Sequence, residues 1–303
     1  MSAVTYATAQ ILRVLPRARI SQAAGHLADV QWPGGVGRAV VSLYSRFYDV
    51  SLDECAHKGP WSSFDAFFTR ELRQGARDVG RDPRTILSPA DGRIESLGPV
   101  DRDRRFLVKG RPYSVEELVG SASEAARFEG GAGFVVYLSP RDYHRVHAPV
   151  AGVVRRIRSM PGDYFPVNAI GLAHVPNLFC RNRRVAFEID ADGTDGRAEG
   201  PGRVTVVMVA AIVVGRITAR GVDARDVPVG EHTFDPPLRV ERGQELGIFH
   251  LGSTAVVFVE ARAAGAWLAS EGPVRYGQPL LRRPAEAEAE AGRAVHHANG
   301  SAR

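Results

Sequence analysis

About sixty residues into the chain the apolar positions change their period, and the change separates two kinds of structure. Ile20, Ala23, Ala24, Leu27 and Val30 recur at helical spacing, and so do Val36, Val40, Leu43, Tyr44, Phe47 and Tyr48 over three turns. Pro16 and Trp32-Pro33-Gly34-Gly35 cut this segment into short pieces, and Arg13, Arg17, Arg19, Arg38 and Arg46 flank or line its stripes. Ser63 is placed to cap a helix over 63–72 with Phe64, Phe67, Phe68 and Leu72 on one face. Beyond it, β signals take over. Strands are predicted over 92–97, 106–108, 133–138, 152–160, 184–189, 204–218 (as two), 244–250 and 254–260, with Gly, Pro and Asp clusters between them. A short helix over 114–119 fits the Ser114 cap and the acidic first turn of Glu116 and Glu117.

Many short strands and few helices make an α+β fold: a mixed, largely antiparallel β core with short N-terminal amphipathic helices. Three regions are expected. These are an amphipathic helical stretch over 1–60, a mostly β domain over 61–283, and a tail over 284–303 too poor in large apolar residues to fold. The longest apolar run, 204–214, is broken only by Thr205 and falls short of the roughly 20 residues that a membrane-spanning helix needs. Its β-branched content reads as buried strand. The amphipathic stripes suit a helix lying in a membrane interface, although such stripes also serve ordinary core packing.

Composition narrows the class further. The 303 residues are 44% hydrophobic and 24% charged with a net charge of +5, a folded globular balance too mildly basic to argue for nucleic acid. Lys58 and Lys109 are the only lysines, so arginine carries nearly all the positive charge. Two cysteines far apart, Cys55 and Cys180, exclude a disulfide-rich scaffold and a cysteine zinc site; they read as free thiols in a reducing compartment. The N-terminus lacks the basic start and apolar stretch of a secretory signal.

Three places could carry chemistry. Ser88-Pro89-Ala90-Asp91-Gly92 delivers an aspartate just before a strand, though Asp-Gly is also an ordinary turn pair. Asp142-Tyr143-His144-Arg145-Val146-His147 holds two histidines three residues apart, suited to general acid–base work near neutrality. As metal ligands they lack the third partner that zinc requires, so no metal is expected. Leu251-Gly252-Ser253-Thr254 sits between two apolar strand-like runs, where a glycine admits a tight, strained turn that exposes a hydroxyl. No Gly-x-Ser-x-Gly elbow is present, which disfavours an ordinary α/β-hydrolase.

Taken in order, these three motifs closely resemble the phosphatidylserine decarboxylase proenzymes of the bacterial and mitochondrial type. Lys109-Gly110-Arg111-Pro112-Tyr113-Ser114, Pro161-Gly162-Asp163, the run from Val175 to Asn182 and Gly243-Gln244-Glu245-Leu246-Gly247-Ile248-Phe249 match as well. The resemblance covers about residues 60–281. It implies a self-processing enzyme in which Ser253 attacks the carbonyl of Gly252, turning the amide into an ester. His147 oriented by Asp91 would act as the base, by the logic of a serine–histidine–aspartate triad. β-Elimination and hydrolysis would then leave a β chain of 1–252 and an α chain of 253–303 that begins with a pyruvoyl cofactor derived from Ser253. That group would take the amine of phosphatidylserine as a Schiff base and accept electrons as CO₂ leaves, giving phosphatidylethanolamine. His144 is the candidate for orienting the carboxylate or donating the final proton.

The implied partners are the lipid substrate, a membrane surface and the chain's own second fragment, with a homo-oligomer also compatible and nucleic acid not expected. The implied location is the cytoplasmic side of the cell membrane, reached by peripheral attachment through residues roughly 8–50. Three alternatives stay open: a carrier or phosphotransfer module of the hybrid-barrel kind, a metal-dependent hydrolase using His144 and His147, and a processed family member without decarboxylase activity.

Overall fold

The computed structural model describes residues 16–33, 35–191, 202–213 and 216–283; Arg13 and the expected disordered tail lie outside them. Helices α1 (Arg17–Asp29) and α2 (Val36–Tyr48) occupy the N-terminal stripes. Their packed faces are made of small residues, Ser21, Gly25 and Ala28 on α1 and Gly37 and Val41 on α2. Much of the apolar stripe turns outward instead: Leu27, Leu43 and Phe47 are 73%, 72% and 78% exposed. The helices are held by polar links. Arg17 pairs with Asp163 at 2.6 Å, Arg216 pairs with Asp29, and the Tyr44 hydroxyl donates to the carbonyl of Pro140 at 3.1 Å.

Helix α3 (Phe64–Phe68) is capped as expected, with the Ser63 hydroxyl accepting from Ala66 N at 3.1 Å, but it ends four residues early. Arg70 is drawn inward to the carbonyl of Arg141, and Leu72 bridges to Cys55 instead of extending the helix.

Sixteen strands follow among the described residues: β1 (Thr85–Leu87), β2 (Gly92–Pro99), β3 (Arg105–Val108), β4 (Arg111–Ser114), β5 (Ala132–Leu138), β6 (Arg145–His147), β7 (Gly152–Met160), β8 (Arg184–Ala191), β9 (Gly202–Ala210), β10 (Arg216–Ala219), β11 (Gly230–Val240), β12 (Glu245–His250), β13 (Ser253–Val259), β14 (Ala266–Trp267), β15 (Gly272–Val274) and β16 (Pro279–Arg282). Eight of them form one antiparallel sheet in the order β11-β7-β8-β9-β13-β5-β2-β15. The valine-rich β9 and β13 lie side by side near its middle and are buried at every position, as central strands covered on both faces should be.

The strands expected from the sequence appear with edges shifted by a residue or two, and the 204–218 segment does split in two. β11 had no sequence signal because Pro236 and Pro237 interrupt it; an edge position with a bulge between Thr233 and Leu238 accommodates them.

One connection positions the site. β12 belongs to a three-stranded sheet with β10 and β6, whereas β13 belongs to the large sheet. Only Leu251 and Gly252 lie between them, so the chain changes sheets at the Leu-Gly-Ser-Thr motif.

Candidate active site

Ser253 opens β13, facing Leu138 of β5 on one side and Ala210 of β9 on the other. It is buried, and neither its hydroxyl nor that of Thr254 has a hydrogen-bond partner. A buried hydroxyl left unpaired costs about 1–3 kcal/mol, so such a group in a native core calls for a functional reason.

From Leu138 the chain enters the polar loop expected to carry chemistry. Asp142 closes that loop by accepting from the backbone N and the hydroxyl of Ser139, at 2.7 and 2.6 Å. His144 follows and is completely buried. Its Nδ1 lies 2.8 Å from the carbonyl of Asp142, which makes Nδ1 the protonated nitrogen and leaves Nε2 as a lone pair with no partner. Two contacts link His144 to the residues leading into Gly252. Its carbonyl accepts from Phe249 N at 3.0 Å, and its ring lies 4.1 Å from that of Phe68, which packs with Leu251. Burial lowers its pKa from 6.5 to about 3, with the charge of Arg70 acting in the same direction.

His147 occupies the end of β6, opposite Glu245 of β12. Its Nδ1 lies 2.7 Å from the carbonyl of Gly243, and its Nε2 lies 3.2 Å from the hydroxyl of Tyr143. The ring stacks almost parallel on Tyr276, with centroids 3.8 Å apart. Burial lowers its pKa to about 4, while the Gly243 carbonyl and the Asp91 charge oppose that shift. Both histidines are therefore neutral at physiological pH.

Asp91 is spoken for elsewhere. Its carboxylate pairs with Arg77 through both Nε and Nη2 and accepts from Tyr276 N at 2.9 Å. Asp91 and His147 thus meet in one cluster, joined through Tyr276, but no hydrogen bond links them directly. Gly92 is required beside Asp91 because a Cβ there would fall 2.2 Å from the carbonyl oxygen of Tyr137.

Gly252 is not where the unusual backbone sits. A Cβ at Gly252 would meet nothing within 4 Å, whereas Leu251 carries a φ of 88°.

Two cavities adjoin the motifs. An apolar groove of about 580 Å³, lined by Leu27, Val30, Tyr44, Phe68, Leu251 and Gly252 among others, runs from the exposed helical stripe to the glycine before Ser253. A polar cavity of about 470 Å³ is lined by Arg70, Arg77, Asp91, Asp142 and Tyr143. Among the described residues no group of three or more His, Cys, Asp or Glu side chains comes together in a way that could hold a metal ion.

The ordered motifs point to Asp91, His144, His147 and Ser253. They carry no sign of Arg77, of Tyr276 as a stacking partner, or of Phe68 as the link between His144 and Leu251. Tyr276 and Arg77 are distant in sequence from the histidines, and nothing in a single chain reports that contact.

Comparison with known proteins agrees with the ordered motifs. A family described as phosphatidylserine decarboxylase matches residues 64–282. A phosphatidylserine decarboxylase proenzyme of Marinobacter nauticus is 38% identical over 262 residues, covering 84% of this chain and 88% of its own. The proenzyme of Pseudomonas aeruginosa is 39% identical over 279 residues, covering 88% and 93%. That of Myxococcus xanthus is 34% identical over 279 residues, covering 89% and 96%.

Proposed function

The chain belongs to the phosphatidylserine decarboxylase family, and from that premise we propose that it cuts itself between Gly252 and Ser253 and then converts phosphatidylserine to phosphatidylethanolamine and CO₂. The observation that carries the reading is the buried, unpartnered hydroxyl of Ser253 at the two-residue passage between sheets.

Ser253 Oγ attacks the carbonyl carbon of Gly252. The C–N bond breaks as the C–O ester forms, and the amine of residue 253 is freed. Loss of the Cα proton then expels Gly252 as a carboxylate, and water hydrolyses the resulting enamine, releasing ammonia. His147 is the proposed base. It is neutral, and the Gly243 carbonyl with the nearby Asp91 charge favours the protonated ring that proton uptake creates. Asp91 in this reading acts through its field and through Tyr276 rather than by a direct hydrogen bond.

The site fits a keto group in place of the Ser253 side chain. Thr254 Oγ1 and His144 Nε2 are both buried and unpartnered, so a hydroxyl and a ring nitrogen stand free to meet it. A pyruvoyl group at position 253 supplies an electron sink for loss of CO₂. His144, whose ring packs on the Phe68 that clusters with Leu251, is the proposed residue for orienting the substrate carboxylate or returning a proton.

After cutting, β13 remains hydrogen-bonded to β5 and β9 along its length, and β16 to β1, so the two fragments have reason to stay together as a heterodimer. Freshly made wild-type protein is expected to resolve into chains of 1–252 and 253–303 on denaturing electrophoresis and intact mass. The smaller should be blocked to Edman sequencing and should react with a hydrazine-type reagent. A single intact chain without a reactive ketone overturns the reading.

The lipid substrate and the outward stripe support a peripheral seat on the cytoplasmic face of the cell membrane. No helix among the described residues is long and apolar enough to cross a bilayer. The exposed Leu27 lines a groove that leads to Gly252, a path for acyl chains to reach the site without leaving an apolar surface, and Leu43 and Phe47 stand exposed on the adjoining helix α2. Both cysteines are free thiols, as a reducing face would keep them. Leu43→Asp with Phe47→Asp removes about 1.5–3 kcal/mol of apolar burial per side chain. Vesicle flotation should therefore register at least a tenfold loss of binding to vesicles containing anionic lipid, with self-cutting retained.

A further inference from the structure

Leu251 is a residue without a local excuse for its backbone. Its φ of 88° lies in the left-handed region, which L-residues other than Asn, Asp and His rarely enter, and its neighbour Gly252, which could adopt it freely, does not. The two sheets impose the angle. His250 is paired to Arg216 in one, Ser253 is paired to Leu138 and Ala210 in the other, and the chain must turn between them in two residues. The side chain then locks the turn, because Leu251 is buried against Ala28 of α1 and Phe68 of α3, with Tyr44 and Phe64 packed alongside.

We propose that Leu251 is a positioning residue for self-cutting: the strained backbone that the two sheets force on it raises the energy of the uncut Gly252–Ser253 link and is released when that link breaks. This rests on the self-cutting reading. Strain of this kind at a reacting segment persists only where the surrounding structure over-determines it, and strand pairing on both sides does so here. Helix α1 thereby becomes part of the processing apparatus, since its Ala28 touches the strained residue.

The test compares Leu251→Ala with Leu251→Gly. Both lose the same apolar anchor, but alanine keeps the left-handed penalty and glycine does not. In a time course of freshly translated chain, Leu251→Gly is expected to cut about tenfold more slowly than Leu251→Ala, a difference of about 1.4 kcal/mol in the barrier. Placed on Ser253→Ala, which stays whole, the glycine variant should melt at a higher temperature than the alanine variant, the reverse of their usual order. Leu251→Met, which keeps both anchor and penalty, should cut at the wild-type rate. Where the small side chains do not fold, Leu251→Asn serves, because asparagine enters this backbone region several-fold more readily; it too should cut more slowly than wild type.

Equal rates for the alanine and glycine variants, or an asparagine variant at the wild-type rate, overturn the role of strain while leaving self-cutting intact. A wild-type chain that never cuts overturns the underlying reading instead.

Discussion

Ser253→Ala is expected to remain one uncut chain with no decarboxylase activity above background. The hydroxyl supplies the nucleophile for chain cutting and then departs within the Gly252 carboxylate in the elimination that leads to the keto group, so its removal ends both steps at once. The fold should survive intact. Ser253 Oγ makes no hydrogen bond, and alanine has high tolerance for a buried position flanked by Leu138 and Ala210. Removing an unpaired buried hydroxyl is stabilising, not disruptive. Circular dichroism should therefore be unchanged, and the melting temperature should not fall below that of the wild type. A Ser253→Ala chain that still splits at this site would place the nucleophile elsewhere.

The second large effect separates the two histidines. His147→Ala and Asp91→Asn should stay largely uncut, whereas His144→Ala should cut but decarboxylate poorly. Positioned proton transfer contributes about 10²–10⁴-fold, and losses of that order are expected in the step each residue serves. The opposite pattern would assign the cutting base to His144, whose Nε2 is free while that of His147 faces the Tyr143 hydroxyl.

Asp91→Asn should also lower stability. It removes the charge opposite buried Arg77, leaving Glu54 as that guanidinium's remaining carboxylate at 2.8 Å. An activity loss from Asp91→Asn should accordingly be read beside its melting temperature.

Acidity gives an independent readout of the same pair. With their values lowered to about 4 and about 3, His147 and His144 stay neutral well below the ordinary histidine range. Cutting by folded chain should therefore hold its rate through pH 6.5 and decline only as pH approaches 4. Stability behaves differently. Between 6.5 and these lowered values the unfolded chain binds more protons than the folded one, so stability is full above about pH 6.5 and is lost as pH falls toward 4. The uncut Ser253→Ala chain should melt lower at pH 5 than at pH 7, and replacing His144 with leucine in that background should flatten the dependence.

Much of the fold was legible because its signals are local. The run at 204–214 announces a buried strand through its β-branched residues, and Ser63 and Ser114 announce helix starts through their hydroxyls. β11 was hidden because its prolines deny it the usual signature, and only a place at the sheet edge makes them harmless. The end of α3 was likewise invisible, since it depends on Arg70 reaching the carbonyls of Arg141 and Asp142 some seventy residues away.

For the site the division is sharper. The order of Asp91, His144, His147 and Ser253 along the chain was enough to identify the family and to nominate reacting groups, because residue types and short spacings are written in one dimension. Which partner each group keeps was not. Asp91 turns to Arg77 and Tyr276, His147 lies on Tyr276, and the left-handed residue is Leu251 rather than the glycine beside it. Those outcomes depend on two separately paired sheets meeting across two residues and on how deeply each imidazole is buried, and pairing and burial exist only once distant segments have packed together.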